Sequence, residues 1–197
     1  ASIVIFSINI AKGVTPLWSV IFAACTVVAY IGLFFVCNFK VLSPGANDNL
    51  TGVFVAVSAL KCLKESGIRY ENTEVCALLT GSEEAGLRGA TAFTKRHKGE
   101  NKDVETYIIA FDTMRDYDYM TIYHRDMTGM VKNSPEVVAL LDEACNDLDV
   151  NHPLPHGVVP FGASDAAAFS RGGFKAAAVA GQNPKYAPYY HNLRDTP

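Results

Sequence analysis

"EVCALLTGSEEAGLRGA", residues 74–90, joins an unbroken apolar run to two adjacent glutamates and then to a turn of small residues. A short apolar run closed by glycine reads as a strand buried on both faces, the kind found in parallel sheets. The spacing predicts that strand over residues 74–80 and a helix over about 85–97. Two like charges at the junction have a bland explanation, since carboxylates complement the positive end of a following helix dipole and cost nothing when solvated. The neighbouring segments decide between that explanation and chemistry.

Working outward, "TYIIAF" at 106–111 reads as a second buried strand and "YMTIYH" at 119–124 as a third. Leu50, Val53, Phe54, Val57, Leu60 and Leu63 recur at helical spacing and predict a helix over about 50–65. Ser134 reads as an N-cap with Pro135 at the first helical position, in a helix running to about Cys145. "SDAAAFSRGG" reads as a short helix closed by glycines, and "KAAAVAG" as a further strand. Strands separated by helices of this length imply an α/β fold, a three-layer sandwich whose mostly parallel central sheet is covered on both faces. Such sheets bind ligands beyond the carboxyl ends of their strands.

The polar residues collect at that edge. Glu83 and Glu84 follow one predicted strand, Asp112 directly follows another, and Asp48 stands in "PGANDNLTG" just before the first helix. Taken singly, Asp48 or Asn49 reads as a helix cap and Asp112 as a turn former. Taken together, three segments aim carboxylates at one edge, where their repulsion calls for a compensating cation. His191, in "YYHNLRDTP", adds an imidazole, and the set suits zinc or a similar divalent metal. Asp195, four residues on, is placed to accept a hydrogen bond from the other ring nitrogen of His191. His97 lies in a basic turn, and His124, His152 and His156 read as structural or exposed.

The start of the chain has a different character. Lys12 and Lys40 are the only charged residues among the first forty, and the apolar stretch at 17–36 is long enough to span a bilayer core of about 30 Å. Residues 1–10 are also apolar, and "AKGVTP" supplies a turn, so the expected arrangement is the end of one membrane helix, a turn and one full transmembrane helix over 1–40. A domain over 41–197 follows. With those two lysines set aside, 15 basic residues face 20 acidic ones, a net charge of about −5 that invites no nucleic acid. The five cysteines form no CxxC pair and read as free thiols, which leans toward a cytoplasmic catalytic domain on an integral membrane protein.

"PGANDNLTG", "TGSEEAGLRGA", "AFDTM", "GASDAAAF" and "YYHNLRDT" resemble, in order and spacing, the signature segments of the di-zinc aminopeptidase-like metallopeptidases, which include bacterial leucyl aminopeptidases and relatives of glutamate carboxypeptidase. The similarity covers roughly residues 43–197. It implies a zinc-exopeptidase fold, a peptide substrate and two zinc ions. Asp48 would bridge the ions, Glu84 and His191 would complete one site, and Asp112 would ligate the other. Glu83 would be the general base that takes a proton from the attacking water and returns it to the leaving amine. Asp165, from the Ser-Asp pair, would stand behind the ligands together with Asp195.

Three departures from the family pattern accompany the resemblance. No histidine precedes His97, so the second metal site lacks the upstream histidine of a His-x-Asp motif. Phe161 stands where a tyrosine often steadies the oxyanion, and Ala166 where Ser-Asp is commonly followed by histidine. The chain ends at Pro197, before the closing helix expected of the family. The expectation is therefore a membrane-anchored exopeptidase seen as a fragment. A catalytically inactive receptor or scaffold and a glutaminyl-cyclase-like acyltransferase are the alternatives.

Overall fold

Small alternating side chains make β5, Lys175–Gly181, the pivot of the fold. Ala176 and Ala178 face one way and pack with Ala90, Ala167 and Phe169. Ala177 and Val179 face the other way and pack with Ile122, Val137 and Val138. Period-two alternation with no bulky residue on either side lets helices approach both faces closely. In this computed structural model, which describes residues 2–36, 42–100, 103–148, 153–181, 183 and 187–197, helices α4 (Arg88–His97) and α6 (Asp165–Gly172) lie on one face and α5 (Pro135–Asp147) on the other. That is the expected three-layer α/β arrangement. Cys37, Lys40 and His152, which entered the sequence reading, lie outside the described residues.

The sheet is mixed rather than mostly parallel. Strand order is β1-β5-β2-β3, with β1 (Tyr107–Asp112) parallel to β5 and paired from Tyr107↔Lys175 to Asp112↔Ala180. β2 (Met120–Asp126) runs antiparallel to β5 and to β3 (Val131–Lys132), while β4 (His156–Val158) pairs parallel with β2. The cause is the connection between β1 and β2, residues 113–119, which is shorter than the dozen or so residues a parallel crossover needs.

Residues 74–80 correct a second expectation. They join no ladder, and Val75, Leu78 and Leu79 are exposed at 45%, 43% and 56%. An apolar run becomes a buried strand only when partners cover it, and among the described residues none does. The following helix also begins later than expected, at Arg88, because Ser82 and Leu87 take left-handed conformations (φ 57° and 55°) before it. At α5 Pro135 occupies the first turn as expected, yet the Ser134 side chain caps nothing; its backbone N–H instead donates to Ala176 O at 2.8 Å.

The chain divides into two compact units, Ala1–Leu42 and Ser43–Pro197. The first holds α1 (Ser2–Ala11) and α2 (Leu17–Val36), joined by a turn at Lys12 and Gly13. Ser19, 1% exposed, returns its hydroxyl to Pro16 O at 2.8 Å and closes the first turn of α2. Among the described residues no helix is long and apolar enough to cross a membrane, so the expected transmembrane span is not supported.

Candidate metal centre

The Asp48 loop is built by polar ties that cross the second unit. Gly45 enters it at φ 69°, where an added Cβ would lie 2.8 Å from Asp48 O. Residues Ala46–Thr51 make one kinked turn, with Asp48 and Asn49 non-helical and joined by a cis peptide, before α3 (Gly52–Ser66) begins. Asn49 donates Nδ2–H to Phe111 O at 2.8 Å and accepts from the N–H groups of Gly52 and Thr113 at 3.0 and 3.2 Å. Asn47, 2% exposed, accepts from Arg115 N–H at 3.0 Å. These bonds fasten the loop to the end of β1, which places Asp48 beside Asp112.

Asp195 completes this anchoring, in a different way from the one expected. Its carboxylate, 1% exposed, accepts from Asn47 N–H at 2.7 Å and Asp48 N–H at 2.9 Å rather than orienting the His191 ring. Spacing along the chain suggested the histidine, whereas the fold delivers two loop amides. Asn49 is committed in the same way, so the "NLT" sequence, a glycosylation acceptor by pattern, has its amide held inside the site.

Glu83 and Glu84 arrive through the turn after residue 80. Gly86 and Leu87 donate their N–H groups to Glu83 O at 2.9 and 2.7 Å, and Gly89 N–H donates to Gly81 O at 2.9 Å. The turn projects Glu84 toward His191, whose Nε2 lies 3.1 Å from both Glu84 Oε1 and Asp48 Oδ2. His191 itself sits at φ 55°, its ring stacked on Tyr190 with centroids 3.8 Å apart. Ligand atoms of Asp48, Glu84 and His191 all fall within 4.8 Å of one another. Two carboxylates and an imidazole at that spacing fit zinc.

The remaining carboxylates crowd the same place. Burial, then Glu84, Asp112, Asp165 and Asp48, pushes the Glu83 carboxyl up to about 8. Burial and the charges of Asp48, Glu84 and Asp165 push Asp112 up to about 7. Asp48 rises to about 6, mainly by burial and Glu84, with His191 pulling the other way. Asp112 Oδ1 is buried with no hydrogen-bond partner among the described residues. An orphaned buried oxygen and carboxyls held protonated against their nature both mark a place where positive charge is wanted.

Of the residues singled out from sequence, Asp48, Glu84 and His191 meet directly. Glu83, Asp112 and Asp165 lie within electrostatic reach of them. Asp165 is raised by burial and accepts from the Thr80 hydroxyl. His156 is exposed and pairs with Asp142 at 2.8 Å, and His97 pairs with Glu100, outside the centre. A cavity of about 300 Å³ opens beside Asp112, lined by Tyr123, Phe161, Ala178, Ala180 and Tyr190. Tyr190 escaped the sequence reading, although it adjoins His191. Its phenol is raised by burial and by Asp48, Asp112, Glu84 and Glu83, and so stays protonated. Phe161, 88% exposed, stands at the cavity with no hydrogen-bonding group to offer.

The chain is similar to known proteins over most of its length. The profile described as peptidase family M28 matches residues 31–197. An aminopeptidase from Aneurinibacillus sp. strain AM-1 superposes with a TM-score of 0.62 at 25% identity, covering 78% of this chain and 34% of that one. The Legionella pneumophila LapA aminopeptidase gives 0.61 at 19%, covering 78% and 41%, and BSAP, a zinc aminopeptidase from Bacillus subtilis, gives 0.59 at 21%, covering 78% and 37%. The last two show the fold alone. The chain spans between about a third and two fifths of the length of these solved proteins.

Proposed function

The chain belongs to peptidase family M28, and on that premise we propose that it is a zinc-dependent aminopeptidase releasing N-terminal residues from peptides. The observation that carries the reading is the meeting of Asp48, Glu84 and His191 from three distant segments, with Glu83 beside them in no ligand group. Asp48, Glu84 and His191 would hold zinc, and Asp112 would contribute to a second ion. Zinc, when bound, supplies the Lewis acidity that polarises the scissile carbonyl and acidifies water. Glu83 acts as the general base: it takes the proton of the attacking water and hands it to the leaving amine. The cavity beside Asp112 receives the side chain of the residue to be removed.

The exposed apolar side chains of α2, among them Phe22, Val28 and Ile31, support the further reading that the first unit engages a lipid bilayer, with residues 41–197 as the catalytic domain. Resistance to alkaline carbonate extraction tests it.

The central experiment measures free amino acid released from a mixed peptide panel by the protein in detergent, with and without chelator, and with Glu83→Gln as control. Chelator-sensitive release that the substitution abolishes is the expected result. Metal binding without release would point to a receptor or scaffold, and cyclised product without a freed amino acid to an acyltransferase.

A further inference from the structure

One phenol joins the three segments that carry Asp48, Asp112 and His191. Tyr189, 8% exposed, stands two residues before His191 and donates its hydroxyl to Asp116 Oδ2 at 2.6 Å, 73 positions away. The same phenol oxygen accepts from Asn47 Nδ2–H at 3.3 Å. Asn47 immediately precedes Asp48, and Asp116 lies in the connection that leaves β1 after Asp112. Arg115, in that connection too, lays its guanidinium carbon 4.7 Å from the centre of the Tyr189 ring.

Both partners of the phenol are themselves fixed. Asp116 Oδ2 also accepts from Asn183 N–H at 3.3 Å, and the Asp116 N–H donates to Gly181 O at 2.8 Å, which fastens the acceptor to the end of β5. Asn47 Oδ1 accepts from Arg115 N–H at 3.0 Å, and the Asn47 N–H donates to Asp195 Oδ1 at 2.7 Å. His191 therefore stands between two anchors on its own segment. Behind it, Asp195 holds the amides of Asn47 and Asp48, and the Ser43 hydroxyl donates to Asn192 O at 2.9 Å. Those ties reach residues 43–48. Ahead of it, the Tyr189 hydroxyl carries the hydrogen-bonded link to the segment after Asp112. Between Tyr189 and His191 the chain has little slack, because the N–H groups of Tyr190 and Asn192 donate to Ala187 O and Tyr189 O, both at 3.2 Å.

We propose that Tyr189 and Asp116 form a positioning pair that fixes His191 relative to Asp48 and Asp112. The inference rests on the metal-centre reading above. A phenylalanine would fill the same space, so packing alone has no use for the hydroxyl; the hydroxyl adds direction by selecting Asp116 and Asn47. Metal–ligand distances tolerate only about 0.2 Å of error. His191 Nε2 stands 3.1 Å from both Asp48 Oδ2 and Glu84 Oε1, so looseness two residues upstream is felt where an ion would sit. Groups that orient metal ligands act in this way, and their loss costs about 10–100-fold in metal affinity.

The test uses the full chain in detergent. Tyr189→Phe removes the hydroxyl and keeps the ring, Asp116→Ala removes the acceptor, and Asp116→Asn retains one. Two readouts avoid turnover: amide hydrogen exchange at Asn192 and Asp195 in the metal-free protein, and cobalt affinity from the visible absorption of the bound ion. Tyr189→Phe and Asp116→Ala should exchange at least about tenfold faster at those two amides and bind cobalt about 10–100-fold more weakly. Asp116→Asn should stay within about threefold of the parent, and the double variant Tyr189→Phe with Asp116→Ala should be no worse than Asp116→Ala alone. Unchanged exchange and affinity, additive losses, an Asp116→Asn protein as impaired as Asp116→Ala, or equal loosening of the β5 amides would each overturn the proposal. Parent protein that binds cobalt but releases no amino acid would defeat the aminopeptidase reading alone. Parent protein that binds no cobalt would defeat the metal-centre reading, and hydrogen exchange would still decide whether Tyr189 and Asp116 hold the His191 segment.

Discussion

Asp112 and the Glu83–Glu84 pair reach one edge of the fold by opposite means. Asp112 ends β1, whose six residues pair in register with β5 and whose terminus is tied to Asn49. The glutamates stand in a left-handed turn placed by Leu87 in the core, by the Thr80 hydroxyl on Asp165 and by Glu84 against His191. A sheet holds its carboxylate as a by-product of backbone pairing, so many residues share the work. A turn holds its carboxylates through a few specific groups, each of which can be removed separately.

That contrast is sharpest at the chemistry itself. Glu83→Gln should lower amino-acid release by about a thousandfold while leaving cobalt affinity within about threefold, since the amide cannot accept the proton but keeps the shape of the turn. Asp48→Ala should lose metal and turnover together. Equal loss of metal in Glu83→Gln would merge the two roles and break the comparison.

Stability should divide along the same line. Ile122→Ala, at a residue with 0% exposure on the sheet, should cost about 2–5 kcal/mol by denaturant unfolding, whereas Leu79→Ala, on the unpaired stretch, should stay within about 0.5 kcal/mol. A large loss at Leu79 would mean that these residues are buried after all. Gly89→Ala would set a Cβ 2.4 Å from Gly81 O and 2.6 Å from Gly81 N, so the turn must shift; the expected cost is about 1–3 kcal/mol with reduced metal affinity.

The gentlest effect is a slope. Without metal, Asp48, Asp112 and Glu83 hold protons up to about pH 6, 7 and 8, above the ordinary 3.8 to 4.5 at which the unfolded chain releases them. The native state thus binds more protons than the unfolded one from about pH 4 upward, and stability falls as pH rises through that window. Zinc competes with the same protons, so its stabilising effect should grow toward pH 8. Thermal melts from pH 4 to 8 with and without zinc measure both trends, and parallel curves would sink the prediction.

Much of this was readable in the residues themselves. The apolar run of β5, the proline at the start of α5 and the glycines that close α6 announce their elements locally, because each depends on neighbours in the chain. The direction of β2 and the unpaired state of residues 74–80 depend on partners elsewhere, and no local pattern encodes them. β3 and β4, two and three residues long, are too short to carry a period. The site divides similarly. The convergence of Asp48, Glu84 and His191 was legible in the segments that carry them, although the strand expected before Glu84 is absent, but the partners of Asp195 were not, since a spacing of four residues pointed to His191 while the fold supplied Asn47 and Asp48. Phe161 announced a missing hydroxyl; that Tyr190 places a phenol among the same carboxylates could be seen only once the ring was found on His191.

The bonds from Asp195 to the amides of Asn47 and Asp48 join positions 148 and 147 residues apart. A ribosome making this chain therefore finishes almost the whole second unit before the Asp48 loop can close. Contacts of such long sequence separation form late in folding, after the shorter-range pairs have reduced the cost of closing the loop. On the zinc reading proposed above, metal capture would be a terminal event in biogenesis, because nascent chains hold these carboxylates dispersed and only the finished fold brings Asp48, Glu84 and His191 together.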